Sequence, residues 1–182
     1  MRQIGWAERL NRSPYWGRRV GVLDLPRWHV PLLNVVLSAV LHATTGWLAH
    51  RIPAERLAAD GPVLRLRAVE AGGRIYERRL GIVRWKDRLP EAGALFGGGM
   101  SKRRLPGRDT DALLRFAAET RRAERAHWWA VAGAPVIALC NPPVGAAAML
   151  LYGVASNAPC IAIQRYNRAR ITRLLAKVRG GA

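Results

Sequence analysis

Two long stretches without a formal charge constrain this chain more than any other feature. Trp28–Leu48 is a run of 21 such positions, close to the roughly 20 that an α-helix needs to cross a hydrocarbon core of about 30 Å. The second run, His127–Gln164, holds 38 residues and is interrupted only by Asn141-Pro142-Pro143. Two prolines behind an asparagine end a helix and turn the chain, so this run predicts a helical hairpin with arms at 128–140 and 144–163.

The first arm of the hairpin is short. Its 13 residues would extend only about 20 Å as a helix. It either continues the polar helix before it or enters the bilayer without crossing. The alternative is a water-soluble protein with these helices buried in its core, but uncharged runs of this length are costly to keep in water. The sequence thus predicts an all-α integral membrane protein, a single domain over 1–182, divided into a membrane helix (28–48), a polar cytoplasmic region (51–126), a hairpin (127–164) and a basic tail (165–182).

The charge pattern supports a membrane location. The chain carries 30 Lys+Arg against 12 Asp+Glu, a formal net charge of +18. Basic residues flank the hairpin on both sides and are absent from its turn, which places both flanks in the cytoplasm. Arginines stand at both ends of the first segment, so its orientation stays open. The excess charge predicts attraction to anionic membrane lipids, at about 1 kcal/mol per basic residue near the surface, and the absence of a nucleic-acid motif argues against that partner.

The polar region carries weaker structural signals. Alternation at 63–69 predicts a short strand, and spacing at 74–87 predicts an amphipathic helix. A glycine-rich loop follows, after which Asp109 or Thr110 can cap a helix that leads into the hairpin. The tail after Asn167 predicts a helix lying on the membrane surface. Cys140 and Cys160 form no CxxC pattern, which excludes a disulfide scaffold and a cysteine zinc site.

The densest polar cluster, 119–127, directly precedes the hairpin. Glu124 and His127 are three positions apart and share a helix face. A carboxylate beside an imidazole can orient it and suits it to act as a general base. Glu119 is a further catalytic candidate. The alternative interpretation is a solvated helix stem, and because no second Glu-x-x-His copy exists, no metal is expected.

Several motifs resemble the glycosyl-4,4'-diaponeurosporenoate acyltransferase family. The similarity runs in order from about Gly72 to Leu175, and its most specific part is the QRYNR sequence at the end of the second apolar run. The motifs are Arg84-Trp85-Lys86-Asp87-Arg88-Leu89-Pro90, the glycine-rich stretch with Lys102, Glu119-Thr120-x-Arg122-x-Glu124-x-x-His127, Asn141-Pro142, Asn157-x-Pro159-Cys160 and Gln164-Arg165-Tyr166-Asn167-Arg168.

This resemblance implies a small membrane acyltransferase of carotenoid pigment synthesis, which esterifies the glucose C6 hydroxyl of a glycosylated carotenoid acid with a fatty acyl chain. It implies no cofactor, with acyl-CoA or an acyl-carrier thioester as the donor. A homo-oligomer or a complex with a partner enzyme is compatible with it. The competing hypothesis is a non-catalytic membrane scaffold whose arginines bind anionic lipids or a partner enzyme.

The residues can be assigned roles on this basis. His127 would take the proton of the acceptor hydroxyl, with Glu124 setting its tautomer. An oxyanion could accept hydrogen bonds from Asn157, Gln164 or Arg165. The remaining substrate-binding candidates are Asn167 and the basic residues expected to attract donor phosphates, Arg121, Arg122, Lys102 and Arg103.

Overall fold

The computed structural model describes residues 29–89 and 109–180, and all regular structure within those ranges is helical. The all-α prediction is confirmed for this part of the chain. Four α-helices form the frame: α1 (His29–His50), α2 (Arg74–Leu80), α3 (Thr110–Ala138) and α4 (Pro143–Gly180). Short 3₁₀ turns lie between α1 and α2 and after α2, at Ala54–Leu57, Ala68–Gly73, Ile82–Arg84 and Lys86–Arg88.

The predicted hairpin is formed by α3 and α4. Asp109 caps α3, its Oδ1 accepting a hydrogen bond from the Ala112 amide at 2.8 Å, as one of the two predicted capping residues. The helix runs without a break from its polar half into its apolar arm, which resolves how the short arm is extended. At the crossing, a Cβ on Gly153 would lie 2.5 Å from the Cβ of Ala134, so only a glycine permits this approach of the two helices.

The contacts at the two ends of α1 set its direction. Near its start, Asn34 exchanges two amide hydrogen bonds with Asn141 of the hairpin turn, at 2.9 and 2.8 Å. At its end, Arg122 of α3 donates to the carbonyls of Ala49 and His50, each at 2.8 Å. The end of α1 therefore lies beside the polar half of α3, and α1 runs antiparallel to α3. The flanking charges of α1 had left this direction open.

Two described helices, His29–His50 and the part of α4 over Pro143–Val178, are long and apolar enough to cross a membrane by length and composition. Their surfaces expose large apolar side chains, with exposed fractions of 59% at Leu32, 83% at Val144 and 70% at Leu151. Such a surface suggests membrane association. With 38 residues, α4 is about 57 Å long, so its C-terminal part extends beyond an apolar core of about 30 Å.

Two predictions in the polar region are wrong. Residues 63–69 form no strand, because the amides of Leu64 and Arg65 turn back to the Gly61 carbonyl at 3.1 and 2.9 Å. The alternating pattern has no partner strand among the described residues. The helix predicted over 74–87 ends at Leu80, because Gly81 takes a left-handed conformation with φ +54° that ends a helix.

The tail also differs from its prediction. It is the continuation of α4 rather than a separate helix on a surface. Ile171 is buried and packs against Leu113, Phe116 and Ala117 at the start of α3. Leu174 and Leu175 are partly buried against the same cluster, whereas Val178 at the end of the predicted face stays 49% exposed. The hairpin is therefore held together at its polar end as well as inside the apolar segment.

Candidate active site

A buried cluster of charges lies where α4 leaves its apolar segment. Glu124 on α3 is fully buried. Its two carboxylate oxygens lie 2.7 Å from Arg165 Nη1 and 2.6 Å from Arg168 Nη2, both on α4. Arg165 also pairs with Glu70, through Nη2 at 2.8 Å and Nε at 2.9 Å. These four side chains, which we call the ionic layer, join the two long helices to the 3₁₀ turn Ala68–Gly73.

Arg165 has its full donor capacity satisfied within the protein. A guanidinium on a side chain carries five N–H donors. Beyond the contacts to Glu70 and Glu124, Nη1 donates to the Val63 carbonyl at 3.4 Å and Nη2 to the Arg65 carbonyl at 2.9 Å. Five donors thus meet five acceptors. The predicted role of Arg165 as a donor to a substrate oxyanion does not fit this arrangement.

Arg168 is the most deeply placed cation of the layer, with 1% of its side chain exposed. Its Nη2 also donates to the Leu64 carbonyl at 2.5 Å, and its Nε lies 3.4 Å from Asp60 Oδ1. The same oxygen accepts a hydrogen bond from Arg121 Nε at 2.6 Å. Because a charge in this setting is tolerated only while it is paired, Arg168 depends on Glu124 and Asp60 together.

The pKa of Glu70 is lowered by its hydrogen-bond partners. Burial alone would raise the pKa of Glu70, but hydrogen bonds from Arg165, Tyr76 and the Arg67 amide hold that pKa below its usual value of 4.5. The Tyr76 hydroxyl donates to Glu70 Oε1 at 2.5 Å. Burial and this bond raise the pKa of Tyr76 above its usual range. The carboxylate therefore stays ionised and the phenol stays protonated at neutral pH.

A second polar feature reaches from this border of the apolar segment into the apolar part of the helices. His127 Nδ1 is 2.8 Å from Asn157 Oδ1, and Asn157 Nδ2 is 3.4 Å from His42 Nε2. His42 Nδ1 in turn lies 2.8 Å from the Ser38 carbonyl. Asn157 itself is 1% exposed. We call His42, Asn157 and His127 the histidine chain, because it links α1, α4 and α3 in that order.

The contacts of Asn157 determine the tautomer of His127. Its Nδ2 donates to the Gly153 carbonyl at 2.8 Å, and since a carbonyl can only accept, this contact orients the amide. Oδ1 then faces His127, and an amide oxygen can only accept, so His127 Nδ1 must carry a proton. In a neutral imidazole that leaves the lone pair on Nε2. His127 is therefore oriented in the form that can act as a base through Nε2.

The residue that holds His127 Nδ1 is Asn157, not Glu124. The predicted role of Glu124 in setting the tautomer is corrected accordingly, because its oxygens are taken up by Arg165 and Arg168, with a further contact from the Trp128 indole at 3.2 Å. Asn157 in turn directs its amide nitrogen at protein acceptors, so it does not fit the predicted role of oxyanion donor.

The other predicted site residues have varied surroundings. Glu119 pairs with Arg122 at 3.1 Å, away from the histidine chain, since eight helical positions separate it from His127 by about 12 Å. Arg121 and Arg122 brace the segment after α1 through Asp60 and backbone carbonyls, and their role toward donor phosphates stays a prediction. Gln164 and Asn167 are buried on α4. Lys102 and Arg103 lie outside the described residues.

An open cavity of about 500 Å³ adjoins the histidine chain between α1 and α4. His42 forms part of its wall, together with apolar residues such as Val35, Ala39 and Met149. The volume is within the range of small-molecule sites. Among the described residues, no group of three or more His, Cys, Asp and Glu side chains could hold a metal ion.

Sequence reasoning missed three contributors to these two features. Glu70 lies between the predicted strand at 63–69 and the predicted helix at 74–87 and had no assigned role, and Arg168 was counted only among the basic residues after the hairpin and in the QRYNR motif. His42 is a polar residue inside the first uncharged run, and the sequence leaves open whether it is a site residue or only an interhelical contact. That position was the available signal, because a polar side chain within an apolar helix is usually held by another polar group.

The fold and these two sites define a class: a small helical protein whose apolar hairpin bears the histidine chain and ends in a buried ionic layer. The family model for glycosyl-4,4'-diaponeurosporenoate acyltransferase matches residues 61–177, which include all of the ionic layer together with Asn157 and His127. The chain therefore belongs to this family.

Individual relatives agree with that assignment. A glycosyl-4,4'-diaponeurosporenoate acyltransferase of Staphylococcus aureus strain USA300 is 29% identical over 129 residues, which cover 70% of this chain and 77% of the relative. The protein of the same description from the bovine strain RF122 / ET3-1 is 28% identical over the same length. No solved structure matches the chain.

Proposed function

We propose that the protein is a membrane O-acyltransferase that moves a fatty acyl group from an acyl thioester to a hydroxyl of a lipid-embedded glycosylated acceptor, such as a carotenoid glycoside. Its family supports an acyltransferase role in the modification of carotenoid glycosides. The observation that carries the proposal is the 2.8 Å contact of His127 Nδ1 with Asn157. That contact orients an imidazole as a base at the border between apolar helices and a basic region.

In this mechanism the Nε2 lone pair of His127 accepts the proton of the acceptor hydroxyl as its oxygen attacks the thioester carbonyl carbon. The Asn157 amide oxygen stabilises the imidazolium through Nδ1. When the tetrahedral intermediate collapses, the carbon–sulfur bond breaks and the imidazolium returns the proton to the departing thiolate. The products are an ester and a free thiol, and no protein nucleophile takes part.

The substrates would meet at the polar end of the hairpin, which we place on the cytoplasmic side. A soluble donor, acyl-CoA or an acyl-carrier thioester, can reach this end from water, while the acceptor reaches it from the lipid. Exposed arginines of the polar region would attract donor phosphates and anionic headgroups; they include Arg65, Arg67, Arg78, Arg79, Arg84 and Arg88. No cofactor enters this scheme.

The proposal is tested with purified protein in lipid nanodiscs, a labelled acyl thioester and a glycosylated carotenoid acid. His127→Ala is expected to lower the turnover by about 10²–10⁴, the usual contribution of a general base. Asn157→Leu, which keeps the volume but removes the contact to Nδ1, is expected to lower it by a smaller factor. Full turnover by folded His127→Ala would discard the mechanism.

The scaffold hypothesis is separated by a comparison of lipid extracts. Cells with and without the gene should differ in an acylated glycoside if the protein is an enzyme. The matched control is His50→Ala, which changes an exposed histidine at the end of α1 and should leave the extract unchanged. Identical extracts from cells with and without the gene would favour the scaffold.

A further inference from the structure

We propose that His42 is a positioning residue for acyl transfer, acting through Asn157 on the tautomer of His127. This inference rests on the proposed function and adds α1 to the active site. Its basis is the order of contacts in the histidine chain. His42 Nε2 is 3.4 Å from Asn157 Nδ2, and the ring is held by the bond of its Nδ1 to the Ser38 carbonyl at 2.8 Å.

The tautomer of His42 follows from its own backbone contact. A carbonyl oxygen can only accept, so His42 Nδ1 carries a proton and donates it to Ser38, one helical turn earlier. The lone pair of the neutral ring then lies on Nε2, which faces an amide N–H of Asn157. Each donor in the chain therefore meets an acceptor, from His127 through Asn157 and His42 to the Ser38 carbonyl.

His42 Nε2 is a further acceptor for Asn157 Nδ2, and each acceptor there opposes a flip of the amide, which would reverse the chemistry. With nitrogen and oxygen exchanged, an N–H would point at His127 Nδ1, and the neutral ring would move its proton to Nε2. Such a ring cannot accept the hydroxyl proton. The Gly153 carbonyl and Ser156 Oγ contact Nδ2 at 2.8 and 3.2 Å from within α4, whereas His42 is the acceptor from another helix. The 3.4 Å contact is long, and contacts of this kind commonly tighten when substrate is bound.

If His42 only attached α1 to the hairpin, its replacement would lower stability without changing the tautomer of His127. The pair Asn34–Asn141 already joins α1 to the hairpin by two hydrogen bonds, and it has no contact with the histidine chain. Asn34→Ala therefore serves as the matched control. It should weaken the attachment of α1 and lower the thermal stability without changing the tautomer of His127.

The kinetic test uses substitutions that separate shape from hydrogen bonding. His42→Phe keeps a ring and removes the acceptor, and we expect it to lower kcat by about three- to tenfold, the equivalent of one neutral hydrogen bond, with KM within about twofold. His42→Gln offers an amide oxygen and should recover most of kcat. In the Asn157→Leu background, His42→Phe should have no further effect, because residues that act through one another are not additive. An unchanged kcat in folded His42→Phe, or an equal loss in the Asn157→Leu background, would overturn the inference.

A spectroscopic test does not depend on turnover. The chain has four histidines, so ¹⁵N-histidine spectra of the purified protein can be assigned with His127→Gln as the reference. We expect a protonated Nδ1 and an unprotonated Nε2 at His127 in the wild type and in Asn34→Ala, and a mixture of tautomers in His42→Phe. A protonated Nε2 at neutral His127 of the wild type would refute the inference with no variant at all. The inference would then be refuted while His127→Ala could still abolish turnover, so its failure can be told apart from failure of the proposed function.

Discussion

The ionic layer and the histidine chain lie next to each other in the hairpin, but their polar groups are arranged for different purposes. In the ionic layer, Glu70, Glu124, Arg165 and Arg168 hold fixed charges that compensate one another. In the histidine chain, the side chains are linked so that His127, when neutral, has its lone pair on Nε2. Both are polar and at least partly buried, but the first ties helices together and the second orients a group that can exchange a proton. The saturated donors of Arg165 suit a structural role, and a defined tautomer suits chemistry.

The largest effect is expected from removal of the central charge of the ionic layer. Glu124→Ala leaves two guanidinium groups without their shared carboxylate, and breaking a buried ion pair in this way costs about 3–5 kcal/mol. Glu119→Ala, on the same helix but partly exposed and paired with Arg122, should cost at most about 1 kcal/mol. Thermal unfolding of the two proteins in nanodiscs measures the difference. Equal melting temperatures would remove the structural role of the layer.

Acid should act on the ionic layer through Glu70. Because the pKa of Glu70 is lowered in the folded state, its contribution to stability is complete above its unfolded pKa, about 4.5, and is lost as the pH falls through the folded value. Glu70→Gln should cost about 1.5–3 kcal/mol at neutral pH, as expected for hydrogen bonds to a charged group. It should also flatten the decline of stability in acid, measured by thermal unfolding from pH 7 to pH 3. A variant with the wild-type acid profile would contradict this assignment.

A substitution beside the histidine chain should have a smaller effect on stability, and that effect should be mainly steric. Gly153→Ala places a methyl group 2.5 Å from the Cβ of Ala134, and overpacking of this kind costs about 1–3 kcal/mol. Because the Gly153 carbonyl also orients Asn157, displacement of α4 should lower turnover together with stability. Gly61→Ala, which meets no atom within 4 Å, is the control. Stability lost without any change in turnover would show that the orientation of Asn157 survives the shift.

The smallest expected effect lies outside both features. Asp109→Ala removes the cap of α3, which typically costs about 1 kcal/mol, and the neighbouring exposed Asp111→Ala should cost less. Turnover of the remaining folded protein should be unchanged, because Asp109 lies about 27 Å along the helix from His127 at 1.5 Å per residue. Assay of the folded fraction after gel filtration checks this. Loss of turnover per folded molecule would mean that the start of α3 contributes to the active site.

Local patterns predicted the helical hairpin, its turn and a cap at Asp109 or Thr110, because each depends on neighbours within a few positions. The same reasoning failed at 63–69, where the alternating pattern has no partner strand in the part of the chain that the structure describes. It also assigned Glu124 to His127, since the two share a helix face. In the structure two arginines from the other helix bind Glu124, and charge attraction across the hairpin outweighs proximity along the helix.

The identity of His127 as the candidate base came from the sequence, but the group that orients it did not. Asn157 is 30 positions away and His42 is 115 positions from Asn157. No periodicity links such distant residues. The clue that was present, a histidine within an apolar segment, indicates that a polar partner exists without indicating which one.

The amino-acid order by itself determined where the chain is apolar, where it turns and where its positive charge collects, because hydration and backbone preferences act over short stretches. Only the tertiary structure decided which carboxylate meets which guanidinium and which amide holds His127. Those choices depend on the rotation and depth at which three helices pack. A shift of one residue along a helix turns a side chain by about 100° and would give it a different partner.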